Sequence, residues 1–408
     1  MMKENIDESL SPTSRLYQLP SIDNYIITMI GFKAKIKLEL ILDDLKHNVS
    51  KLPRFCSKLS DDGERWMKIK VNVEDHVYAP DIDSQEIKED GQGGGWCNEM
   101  SPFFGRWNVI DVPLGGVYSK SIRSRGLSYH SYVVQFSASV WFLKDTETPL
   151  KQIDGFVENN PKRFYHRTVS LDDIRLIKNA MNMTINDVLF GVTQTALSRY
   201  LNGRYGKSNV EGGTSSDLNH LPGKIRFRAG FPVNLRQEIG IKPVADMLAK
   251  GSKCRWGNYI VLVHFPLSIS LETDPLVHLS KTKAIMDRKK HSRMAALFYS
   301  INKFITSIFG PKVASVFFER SMLNTTTLFS NIIGPVEEIS LHGNQITYIA
   351  LSSYGNIYLS QALMIHFISY AEKMIISIAV DPAVIPDHHN LCDEMEKSLK
   401  AIKDTLFL

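Results

Sequence analysis

A hydroxyl and a carboxamide stand side by side in Ser330-Asn331-Ile332-Ile333-Gly334-Pro335, where an apolar run stops on a Gly-Pro turn. Such a pair could donate hydrogen bonds to the oxyanion that forms as a carbonyl becomes tetrahedral. The same residues also read as a strand ending in a turn. A second polar pair, Asn186-Asp187, lies in Thr184-Ile185-Asn186-Asp187. There a threonine and a carboxylate three residues later form a capping box that opens a helix. Trp256-Gly257-Asn258 precedes an apolar stretch and reads by itself as a buried Trp beside a turn glycine. His388-His389-Asn390-Leu391-Cys392-Asp393-Glu394 joins two imidazoles to an acid, groups able to move protons near neutral pH. The helical period running on from Leu391 makes it instead the exposed first turn of a helix capped by Asp387.

Composition narrows the classes. The chain has 408 residues, 43% of them apolar, enough for a large core and for two or three domains. Its net charge of +5 is mild; it suits an anionic membrane surface or phosphate-bearing substrates, but on charge alone an ordinary solvated face is the simpler reading. Cys56, Cys97, Cys254 and Cys392 lie far apart, with no Cys-x-x-Cys pair, so neither a disulfide framework nor a zinc site is expected and the default setting is a reducing cytoplasm. The polar, acidic stretch from Met1 to Leu10 does not read as a signal peptide. The apolar runs Tyr132–Leu143 and Tyr259–Ile269 fall short of a bilayer span, so any membrane contact is expected to be peripheral. Gly91-Gln92-Gly93-Gly94-Gly95 is no phosphate loop, since no Lys-Ser/Thr follows. No signature of a nucleic-acid fold is present.

The elements that must position these groups follow from periodicity. Strands are expected at Tyr25–Ile36, Trp66–His76, Lys224–Phe231, Tyr259–Ile269, Thr327–Ile333, Gln345–Ser352, Ala362–Tyr370 and Lys373–Val380. Helices are expected at Leu40–Lys51, after the capping boxes at Ser170 and Thr184, over Pro275–Arg293 with a basic face, and over Asp387–Leu406. The basic face carries Lys281, Lys283, Arg288, Lys289, Lys290 and Arg293; it could meet the phosphates of a substrate or anionic lipid, or be merely solvated. Helices and strands mixed without strict alternation predict a mixed α/β (α+β) chain. The polar Arg204–Pro222 stretch reads as a linker, which divides the chain into 1–203, the loop 204–222 and 223–408.

Several of these motifs occur together in one family. Ser11-Pro12-Thr13-Ser14-Arg15-Leu16, Val71-Asn72-Val73-Glu74-Asp75-His76, Thr184-Ile185-Asn186-Asp187-Val188-Leu189, Arg255-Trp256-Gly257-Asn258 and Ser330–Pro335 resemble the plant bifunctional wax ester synthase/diacylglycerol acyltransferases. The resemblance covers nearly the whole chain outside about Gly91–Ser139. It implies a CoA-dependent acyltransferase fold, with two chloramphenicol-acetyltransferase-like halves around a channel that admits CoA from one side and the lipid alcohol from the other. It implies transfer of a long acyl chain from acyl-CoA to a fatty alcohol or to diacylglycerol. Acyl-CoA is a substrate, and no metal or redox cofactor is implied. It places the work at a peripheral membrane site, on the cytosolic face of the endoplasmic reticulum or plasma membrane. It assigns substrate binding to Asn186, Asp187, Trp256, Gly257, Asn258, Ser330, Asn331, Gly334 and Pro335.

Members of that family use His-His-x-x-x-Asp-Gly in the N-terminal half, the second His serving as general base. Between Cys97 and Ser128 this chain does not contain it. The expected place is at Ser101, Pro102, Arg106 and Trp107. A shift of the reading frame by one base lets the codons from Met100 to Trp107 read Cys-His-His-Ser-Leu-Gly-Asp-Gly, with the last Gly forced by Trp107 before Asn108. Two expectations follow. In one the gene product is an active acyltransferase, and the stretch from about Gly91 to Ser139 is out of frame. In the other the chain is a catalytically inactive relative that binds CoA or lipid.

Overall fold

The computed structural model describes residues 10, 12–17, 19–22, 25–34, 36–49, 51, 53–60, 66–77, 134, 137–138, 140–151, 162–208, 219–235, 259–290, 294–355 and 361–407. Most of 91–139 lies outside them. The chain opens with α1 (Pro12–Leu16), β1 (Tyr25–Phe32), α2 (Leu38–Val49), β2 (Ser57–Leu59) and β3 (Trp66–Lys68). Then come β4 (Arg163–Ser170), α3 (Leu171–Ala180), α4 (Ile185–Ser208), β5 (Phe227–Asn234), β6 (Ile260–Leu267), α5 (Leu276–Lys290) and α6 (Met294–Leu323). It closes with β7 (Thr327–Ile333), β8 (Ser340–Leu341), β9 (Asn344–Tyr354), β10 (Leu363–Tyr370), β11 (Lys373–Val380) and α7 (His388–Phe407).

Apolar runs rich in Ile, Leu, Val and Phe make the centre of a mixed sheet, ordered β4-β11-β10-β7-β5-β6 among the described residues. β7 runs parallel to β10 and β5, and the other neighbours are antiparallel. Strands buried on both faces need no polar alternation, and β10 and β11 have almost none. One face carries Tyr165, Phe329, Phe367, Ile376 and Ile378 under α3, α4 and α7, in the main core.

The other face is covered in two separate patches. Phe164, Leu328, Met364 and Ala379 pack with α1 and α6. Ile332, Ile368, Tyr370 and Ile375 pack beneath β9. β9 is paired with β8 and with β1, Tyr25 standing opposite Tyr354 and Ile30 opposite Ile349.

The box at Thr184 closes from both sides, whereas at Ser170 the serine caps the helix and the Asp173 carboxylate takes a hydrogen bond from Lys403 at 2.8 Å. Ser170 accepts from the amide of Asp173 at 3.2 Å at the start of α3. Trp66–His76 is not one strand: β3 stops at Lys68 and Val73–His76 is a 3₁₀ turn with only Val73 buried.

A buried ion pair ties residues 143–146 to this sheet. Asp145, with no exposed side-chain surface, meets Arg228 Nε at 2.6 Å. Its second oxygen accepts from the amides of Arg228 (2.8 Å) and Thr326 (3.0 Å) and the Thr326 hydroxyl (2.7 Å). The carboxylate is thereby fully used, as a buried charge requires.

Candidate functional site

Helix α4 starts on a reciprocal cap. The Thr184 amide donates to Asp187 Oδ2 at 2.8 Å, and the Asp187 amide donates to Thr184 Oγ1 at 3.4 Å. Asp187, 1% exposed, is thus committed to the helix start. The cap aims Asn186, in the first turn, at the middle of β7. There Asn331 Nδ2 donates to Asn186 Oδ1 at 2.6 Å. Two motifs 145 residues apart in the chain meet in one hydrogen bond. The Asn331 Oδ1 is buried with no partner, an acceptor held open at this junction.

Successive strand residues point to opposite faces, so Ser330 cannot join Asn331 there. Ser330 faces β9 and α6. Its register partners are His366 on β10, then Ser377 on β11, then His166 on β4. These four polar residues form one row across four strands, in the gap between the two apolar patches of that face. Ser353 on β9 covers the row, its Oγ 3.1 Å from His366 Nε2. Tyr348 stacks on His166 at 4.4 Å between ring centroids. Burial pushes the His366 imidazole down to about 4 and also lowers His166. His366 Nδ1 and Ser377 Oγ are buried without partners. The sequence signal for this row was a polar residue inside the apolar runs of β7, β10 and β11 and a histidine in the mixed strand β4, and it aligns only once the register is known.

Gly334 and Pro335 end β7 against the β10–β11 hairpin. The Gly334 amide donates to Ser369 Oγ at 3.2 Å, and the Ala371 amide donates to the Pro335 carbonyl at 2.9 Å. A Cβ at Gly334 would lie 2.1 Å from the Ser369 carbonyl oxygen, so close approach explains the glycine. Ser101, Pro102, Arg106, Trp107, Trp256, Gly257 and Asn258 lie outside the described residues.

The two histidines at the start of α7 are not both exposed, as the period alone suggested. His388 is 3% exposed, because Tyr165 packs edge-on against it at 5.5 Å and against His389 at 4.6 Å. Asp387 beside them takes hydrogen bonds from Tyr200 and, at 3.1 Å, from Arg204. On α5, Lys281 is paired with Glu272 at 2.6 Å, and Lys283 donates to the Met181 and Asn182 carbonyls past the end of α3. Among the described residues no group of three or more His, Cys, Asp or Glu could hold a metal ion.

The fold is that of the CoA-dependent acyltransferase-like proteins. It matches the wax ester synthase/diacylglycerol acyltransferase from Marinobacter aquaeolei VT8 with a TM-score of 0.53 at 14% identity, covering 98% of this chain and 100% of that one. It matches the first condensation domain of the CDA synthetase with a TM-score of 0.50 at 8% identity, over 98% and 96% of the two chains. The profile of the WS/DGAT C-terminal domain matches residues 256–403.

In sequence the chain is 54% identical to wax ester synthase/diacylglycerol acyltransferase 10 of Arabidopsis thaliana, over 100% of this chain and 99% of the relative. It is 45% identical to number 7 of the same plant, over 98% of each. The chain belongs to the wax ester synthase/diacylglycerol acyltransferase family. The match to the first of these relatives runs over 491 residues against the 408 of this chain, so that relative carries residues with no counterpart here.

Proposed function

We propose that this protein moves a long-chain acyl group from acyl-CoA to a fatty alcohol or to diacylglycerol, giving a wax ester or a triacylglycerol, at a cytosolic membrane surface. The observation that carries the reading is full-length identity of 54% to a relative bearing both activities in its name. The Asn186–Asn331 junction, assembled from two family motifs, supports it.

In the reaction a base takes the alcohol proton as its oxygen attacks the thioester carbon. The tetrahedral intermediate then collapses, the C–S bond breaks and the CoA sulfur takes up the proton. The thioester supplies the activation, so no redox group or metal is called for. The second reading, an inactive relative that binds CoA or lipid, is favoured by one fact. His-His-x-x-x-Asp-Gly is absent from the sequence as it stands, and the nearest pattern, at His388, ends in Glu394. His366 is no ready substitute, since at 5% exposed it lies under β9.

The test compares two proteins, the chain as it stands and one whose Gly91–Ser139 stretch follows the shifted frame. Each is assayed with palmitoyl-CoA and either hexadecanol or a diacylglycerol. The shifted-frame protein is expected to turn over. The unaltered chain is expected to be slower by about 10²–10⁴-fold, the usual loss with a general base. Equal rates from both would place the base elsewhere and end the frame hypothesis. No turnover from either, with CoA or lipid still bound, would leave the binding role.

A further inference from the structure

Helix α6 is inverted on its outer side. A surface helix ordinarily shows water a polar face. Here Phe304, Ile308 and Phe309 are about three-fifths exposed, and Val313 and Val316 beside them are 40% and 45% exposed. Contiguous exposed apolar surface of this kind marks an interaction site. The charged residues exposed along α6 are Lys303, Lys312 and Arg320, all cationic, and its one acid, Glu319, is half-buried. The helix breaks in the middle of the patch, where Gly310 has φ 80° and Pro311 lacks a donor.

The inner side of the same helix lines a shallow apolar cleft of ≈ 60 Å³, open to solvent, with Ile305, Ala314, Phe317 and Phe318 facing Leu16 of α1 and Leu262 of β6. Ser321 at the cleft is hydrogen-bonded to His264 at 3.2 Å.

We propose that the outer face of α6, from Lys303 to Arg320, is the surface by which this protein docks on a bilayer containing anionic phospholipid. An apolar stripe edged only by cations is the pattern of a helix lying in the headgroup region, with lysine and arginine drawn to lipid phosphates. No helix among the described residues is long and apolar enough to cross a membrane, so contact through them is from one side. The inference rests on the membrane reading above and narrows it to one helix face.

Flotation of the full chain with phosphatidylcholine vesicles, with and without phosphatidylserine, tests it. The unaltered protein is expected to float with both and more strongly with phosphatidylserine, with salt removing that excess. Ile308→Glu with Phe309→Glu is expected to weaken binding about 100-fold. Lys303→Glu with Lys312→Glu is expected to abolish the phosphatidylserine preference. Phe407→Glu, at an exposed site on α7, is expected to change nothing. A Ser307→Cys protein labelled with an environment-sensitive dye should shift to the blue on vesicles, which reads the face directly in a chain with α6 otherwise intact. If the unaltered protein floats but the α6 variants float equally and the dye does not shift, the assigned face is wrong and the membrane reading stands. If the unaltered protein binds neither vesicle, both are wrong.

Discussion

Asn331 reaches across from β7 to Asn186 at 2.6 Å, and this bond is where the helix layer is fastened to the parallel centre of the sheet. Both side chains are half-buried. A neutral hydrogen bond of this sort contributes about 0.5–1.5 kcal/mol net, and leaving one partner unpaired costs more than removing both. Asn186→Ala and Asn331→Ala are each expected to lower stability by about 1 kcal/mol. The double variant should cost less than the sum. Urea denaturation of the four proteins gives the coupling, and a sum that is strictly additive would mean that the bond is not formed in solution.

His366 makes stability depend on acid. Its folded pKa, about 4, lies below the ordinary value of 6.5, because burial penalises the imidazolium. Above 6.5 the ring is neutral in both states and the contribution is complete. As pH falls from 6.5 towards 4, the unfolded chain binds a proton that the folded chain refuses, so stability falls by on the order of 3 kcal/mol. His366→Gln should flatten that part of the profile. Denaturation midpoints for both proteins at neutral pH and at about pH 4.5 check the sign.

Asp145 neutralises Arg228 where neither is solvated. Asp145→Ala leaves a buried guanidinium without its counter-ion and takes the carboxylate acceptor from the Arg228 amide and the Thr326 hydroxyl. The expected cost is about 3–5 kcal/mol, read as a lower denaturation midpoint. Asp145→Ala combined with Arg228→Met should recover part of it, since an apolar side chain in place of the cation removes the uncompensated charge.

Gly334→Ala drives a methyl group into the Ser369 carbonyl, a backbone atom that can move only with the β10–β11 hairpin. The expected loss is about 1–3 kcal/mol. Ser369→Ala removes the hydroxyl that accepts from the Gly334 amide without creating the clash, and should cost less. Thermal melts of the two variants separate the contact from the hydrogen bond.

The parts of the fold visible in the sequence are those whose signal is local. β7 and β11 begin and end where the apolar runs do, and the caps at Ser170 and Thr184 follow from one hydroxyl and one acid three residues apart. Helix α6 was not expected, because its exposed side is as apolar as its buried side and no period of 3.6 stands out. The Asn186–Asn331 contact joins two motifs that were each suspected, but nothing local says that they touch. The split of Ser330 from Asn331 follows from strand alternation alone. The row from Ser330 to His166 depends on the pairing of four strands, which no single segment encodes.

The pairing of β1 with β9 has a consequence for assembly. Tyr25 cannot meet Tyr354 until nearly the whole chain has left the ribosome, so the first strand made is among the last to find its place. A contact so distant in sequence slows folding and leaves a strand edge open meanwhile. It also makes the closed loop insensitive to length, because doubling a long loop adds only about 0.6 kcal/mol of closure entropy. The relative that matches over 491 positions carries residues this chain does not have, and any that fall between these strands change the closure cost very little. Gains and losses in that interval can accumulate while the sheet stays the same.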